Sequence, residues 1–247
     1  MLESDRRSAL AALATMAAAV PVAAGAATSG APMPAIDVAF ARRLAAAPRK
    51  RDYTTCPMVL DSRADWDAAA LDLVIGHPGK FKQVWDNTAI DGPWLNLMRN
   101  SLNAQRFSFR HADYFSVSAT HGAAHLALFN QAMWDKYKLT DLAGAKFPSN
   151  TLVGAPMDIH PASHQDPKGP FSPAGNTISV LQQRGVVFLA CHNAIWEIAH
   201  KLAVAGKGEH EAIAVDLTNN LLPGVVLTPG IVATIVELVN AGFVYSA

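Results

Sequence analysis

The chain is short of cysteine, of net charge and of paired metal-ligand motifs. Cys56 and Cys191 are the two cysteines in 247 residues. That count excludes a disulfide-stapled small domain and leaves two options, one bridge or two free thiols. Their spacing contains no Cys-x-x-Cys pair, so no zinc-finger type of site is encoded. Basic and acidic residues balance at 20 each. The one basic cluster, Pro48-Arg49-Lys50-Arg51, is too short to follow a phosphate backbone, which argues against nucleic acid as a partner.

What is present divides into a start and a body. Arg6-Arg7 precedes an uncharged, alanine-rich stretch running to Ala27, with small residues at Ala24-Gly25-Ala26. A charged start, an apolar middle and a small-residue cleavage site make an export signal. The arginine pair resembles a twin-arginine signal, with Asp5 and Ala9 departing from its usual pattern. Residues 1–27 are therefore expected to be a signal peptide, with a mature protein in the bacterial periplasm and no stable membrane insertion after cleavage. An uncleaved anchor is the alternative. Residues 28–79 read as a Pro/Ala-rich, then basic, linker and N-terminal extension. Within it, helices are expected over 38–47 and 65–74.

From residue 80 the pattern alternates. Short β-branched and aromatic runs at 81–85, 114–119, 186–190, 224–227 and 243–246 read as strands. Helical spacing follows over 93–103, 123–137, 177–184, from 192 onward and over 229–240. This rhythm predicts an α/β fold: an open doubly wound parallel sheet of about five strands with helices on both faces. In such sheets the site lies beyond the carboxyl ends of the strands. Those ends bring forward Asn87, His121 with Gly122, Cys191 with His192 and Asn193, and Thr228.

Cys191 falls where a strand turns into a helix. Free N–H groups and the helix dipole favour an anion there, so its thiol pKa is expected to be lowered. The bland reading is a buried small hydrophobe. His121 or His192 is a candidate to assist the thiol. His121 and His125 lie one helical turn apart if a helix covers them. With His160 and His164 on the long Pro/Gly-rich insertion at 144–176, they form a candidate metal set. The alternatives are that His125 packs in the helix and that the insertion is a stiff loop.

Three stretches carry a resemblance. Gly185-Val-Val-Phe-Leu-Ala-Cys-His-Asn-Ala-Ile195, Gly224-Val-Val-Leu-Thr-Pro-Gly-Ile-Val232 and Ala241-Gly-Phe-Val-Tyr245 together resemble the DsrE-like family, over roughly residues 80–247. The resemblance implies a small α/β protein assembling as a trimer or hexamer. It also implies a persulfide on the cysteine that Cys191 matches, exchanged with a sulfur donor or acceptor protein or a small thiol. Sulfur relay requires no cofactor, while the histidines admit a metal. The export signal and the length of 144–176 depart from the family pattern. His121 and His192 are not general features of it. The competing expectation is a non-catalytic periplasmic module that binds a metal or small ligand through histidines at the strand ends.

Overall fold

The computed structural model describes residues 38–247. The expected signal at 1–27 and the adjoining residues 28–37 lie outside the described residues.

Strands β1 (Lys82–Asn87), β2 (Phe115–Thr120), β3 (Val187–Cys191), β4 (Val226–Thr228) and β5 (Val244–Ser246) form one all-parallel sheet in the order β4-β3-β2-β1-β5. The helices are α1 (Val38–Ala46), α2 (Ala68–Ile75), α3 (Trp94–Asn103), α4 (Gln131–Tyr137), α5 (Thr140–Ala143), α6 (Ile178–Gln183), α7 (His192–Val204), α8 (His210–Asn219) and α9 (Ile231–Asn240). Successive strand residues point to opposite faces. In β3, Phe188 and Ala190 join the apolar layer that holds α3, α6, α7 and α8. Val187, Leu189 and Cys191 join the layer that holds α1, α2 and α9. Both faces are therefore covered, which is why β3 reads as an unbroken apolar run.

The connections leave β1, β2 and β3 on the α3–α8 side. After β4 the chain leaves on the other side, through α9, and crosses to β5 beyond β1. The side of departure thus changes between the neighbours β3 and β4. A crevice opens at such a reversal, at the carboxyl ends of the two strands.

The outer edge of β4 is covered rather than left open. The Asp67 backbone N–H donates to the Leu227 carbonyl at 3.2 Å, and its carboxylate accepts the Leu227 N–H at 2.7 Å. The same carboxylate accepts the Lys50 N–H at 2.6 Å and pairs with the Arg51 guanidinium at 3.0 Å. Arg51 in turn donates to the Val225 carbonyl at 3.0 Å. The described part of the 28–79 extension is in this way tied to the sheet.

Three local expectations change. The helix expected over 123–137 is a 3-10 segment at Gly122–Leu128, followed by an isolated bridge from Phe129 to Leu221 and only then by α4. Leu126, Ala127, Leu128 and Phe129 are all buried in succession, which a one-faced helix cannot do. The Asn130 side chain then starts α4 by accepting the Met133 N–H at 3.2 Å. Helix α8 is an addition to the expected elements: it begins at His210, and its N-cap, Glu209, makes no side-chain capping hydrogen bond. The 144–176 insertion, expected to bring His160 and His164 to His121, packs over α3 instead: the Phe171 carbonyl accepts from Arg99 at 2.9 Å and from Asn103 at 2.8 Å.

The Asp67 side chain is fully buried. Removing it strands Arg51 and the Leu227 N–H. Asp67→Ala is expected to lose about 3–5 kcal/mol of unfolding free energy in urea denaturation. A loss under about 1 kcal/mol, the range of a surface pair, would contradict this role for the carboxylate.

Candidate functional site

Cys191 ends β3 and is also the N-cap of α7. Its Sγ accepts the Ala194 N–H at 3.4 Å from α7 and the Ile231 N–H at 3.3 Å from the first residue of α9. The Asn193 N–H also acts on the sulfur. Two helix N-termini therefore meet at one sulfur atom, at the reversal point of the sheet. Gly230 precedes α9 in extended conformation, and a Cβ there would lie 2.9 Å from the side-chain nitrogen of the exposed Asn193, which would have to swing aside. Thr228 pairs with Cys191 across the ladder and locks its hydroxyl on the Ala190 carbonyl at 2.9 Å.

The thiol is only 4% exposed. Burial pushes its pKa up, and the N–H groups of Ile231, Ala194 and Asn193 pull it back in part. This corrects the expectation of a lowered pKa: the helix ends act as foreseen, but α9 also removes the water. Burial pushes the Cys56 thiol up to about 11, against a counteracting hydrogen bond with Thr218. The two thiols are free and lie in different apolar layers, so the sheet separates them.

His121 continues β2 in extended conformation, its N–H donating to the Asn87 carbonyl at 3.0 Å. Thr120 pairs with Ala190. The register carried one residue further sets His121 beside Cys191, and strand alternation puts both on the α9 face. The His121 Nε2 lies 2.7 Å from Asp86 Oδ1, and the Tyr245 hydroxyl donates to Asp86 Oδ2 at 2.8 Å. Asp86, His121 and Cys191 thus stand at the ends of three adjacent strands on one face. Asp86 escaped the sequence reading. Its signal was its place one residue before a strand end, on the opposite face from Asn87.

The other candidates lie elsewhere. Asn87 belongs to the opposite face, where it donates to Ser118 at 2.8 Å, and Ser118 is hydrogen-bonded to Thr120 at 2.8 Å. His192 is buried with Nε2 at 2.8 Å from the Pro57 carbonyl, and burial lowers its pKa. It is thereby committed away from the adjacent sulfur. His125 is fully buried against Phe129, with no hydrogen-bond partner on either ring nitrogen. His160 accepts the Ala162 N–H in an exposed turn, and His164 stacks on Phe107. The four histidines of the candidate metal set do not converge. Among the described residues no group of three or more His, Cys, Asp or Glu is placed to hold a metal ion.

Gly122, with φ +56°, turns the chain at the end of β2. It lines a small crevice of about 120 Å³ with Ala123, Ala194, Glu197 and Lys201. Leu126, Leu142 and Ile198 complete its lining, and Cys191 does not take part in it.

Fold and site together define an open doubly wound α/β protein with a cysteine seated at the reversal of its sheet. No family model, curated protein or solved structure matches the chain. No helix among the described residues is long and apolar enough to cross a membrane.

Burial pulls the His125 pKa down to about 3 from an ordinary 6.5, with His121 and His192 adding to the shift. The unfolded chain therefore binds a proton that the folded one refuses between those values. Stability should fall as pH drops through that window, by up to about 1.4 kcal/mol per pH unit. His125→Leu should flatten this acid limb while leaving stability at pH 7 equal or higher, because no hydrogen bond is lost. An unchanged limb in denaturation series at several pH values would overturn the assignment.

Proposed function

We propose that this protein is an exported DsrE-like sulfur carrier that holds sulfane sulfur as a persulfide on Cys191. The observation that carries the reading is the convergence of N–H groups from α7 and α9 on one sulfur atom. Such a nest stabilises an anion at that point. A persulfide is more acidic than its parent thiol, so more of it is present as the anion that such a nest favours. The resemblance of Gly185–Ile195 to the family motif points the same way. The reading includes a periplasmic location, assembly as a trimer or hexamer, and a donor or acceptor that is a small thiol or a partner protein.

In the exchange, His121 takes the proton of the Cys191 thiol. The thiolate attacks the outer sulfur of a donor persulfide, R–S–SH. A new S–S bond forms at Cys191 as the donor S–S bond breaks. The donor leaves as a thiol, R–SH, on receiving the proton from His121. Oxidation is conserved, because the sulfane sulfur moves as a neutral atom with its own proton. Asp86 fixes the ring of His121 and supports its charge.

Incubation with glutathione persulfide, followed by intact mass and peptide mapping, tests this. One added sulfur on Cys191, removed by reductant and absent in Cys191→Ser, is the expected result. His121→Ala and Asp86→Asn are expected to slow loading by about 10²–10⁴-fold and by a smaller factor, respectively, as for loss of a base and of the group that orients it. Loading on Cys191→Ser, or wild-type chain that takes up no sulfur, would end the proposal.

A further inference from the structure

A mainly apolar cavity lies at the opposite end of the sheet from Cys191. It spans about 760 Å³ at the amino ends of β2, β3 and β4, under α1. That is the size of a site for a small organic ligand. Its walls are mainly apolar, from Leu44, Phe115, Val186 and Val187 among others, and Arg106 and Arg49 are part of its lining.

Arg106 belongs to a buried cluster of like charge. It is 6% exposed, Arg99 is 8% and Arg184 is 1%. Every acceptor these three find is neutral. Arg99 donates to Asn96, Asn100, Asn176 and the Phe171 carbonyl. Arg184 donates to Asn103 at 2.7 Å and lies over the Phe171 ring. Arg106 donates to the Arg184 carbonyl at 2.8 Å and, more weakly at 3.5 Å, to the Tyr114 carbonyl. The Nε of Arg106 and the Nε and Nη1 of Arg184 have no partner. Among the described residues no carboxylate stands within ion-pair distance of any of the three. Asp113, at the cavity rim, is exposed and engaged with the Lys80 N–H.

Such an arrangement is costly. A guanidinium stays charged at neutral pH, and buried charge without a counter-ion destabilises a fold by several kcal/mol. Burial and the proximity of Arg106 and Arg99 together drive the Arg184 pKa down to about 9. Helix carbonyl ends offset part of the cost: Arg106 follows the end of α3, and Arg184 caps the end of α6. A negative charge in the cavity would offset the rest, and the apolar walls select what can carry it.

We propose that this basal cavity binds an apolar small molecule bearing one anionic head group, a carboxylate or phosphate, with the head directed to Arg106 and the body against Leu44, Phe115 and Val187. The site is separate from Cys191 and does not rest on sulfur chemistry. Isothermal titration of the full chain with dodecanoate and with dodecan-1-ol tests it. Dodecanoate is expected to saturate at one site, and the alcohol to bind about tenfold or more weakly for want of the charge-assisted hydrogen bond. Arg106→Gln is expected to bring dodecanoate down to the level of the alcohol. Ala45→Trp, an exposed lining position, fills the cavity and is expected to abolish binding of both while the protein remains folded. It keeps the test decisive should Arg106→Gln fail to fold. Non-saturating dodecanoate, equal affinity for acid and alcohol, or binding that survives Ala45→Trp would each overturn the proposal.

Discussion

The chain leaves β3 toward one face of the sheet and β4 toward the other, and the chemistry of the molecule depends on that reversal. A parallel sheet sends each strand into a crossover helix whose N-terminus sits near the strand end. Where two neighbouring crossovers depart to the same side, their N-termini lie side by side over one layer. Where they depart to opposite sides, the two turns part and then face each other across a crevice. Here α7 and α9 open from that crevice, and each directs an N–H group at Cys191 Sγ. Any residue on the last position of β3 would receive the same field; this chain puts sulfur there.

The field and the burial oppose one another. Two helix ends favour a sulfur anion, while enclosure by α9 disfavours any charge and wins for the thiol. A sulfur species that ionises more readily than the thiol would shift this balance toward the anion. His121 and Asp86, at the neighbouring strand ends, are less enclosed than Cys191.

Much of this arrangement is legible in the sequence. Fully buried parallel strands show as short β-branched runs, and Val186–Ala190 is one. Thr228 and Cys191 follow directly from reading strand ends. Tertiary facts are not legible. That α9 covers Cys191 depends on which side the last crossover takes, and a linear pattern does not carry that. Asp86 and Asn87 differ by one residue, yet strand alternation sends Asp86 to His121 and Asn87 to Ser118. His125 looked like a partner of His121 because a helix was expected; the 3-10 segment turns it into the core beside Phe129. The arginines at 99, 106 and 184 lie far apart in sequence, and folding alone brings them together without an acidic partner.

The most direct measurement is the intact mass of the protein isolated without reductant, with peptide mapping of both cysteines. The account predicts one extra sulfur on Cys191, lost on reduction, with Cys56 carrying none. Two unmodified thiols, or sulfur confined to Cys56, would contradict it.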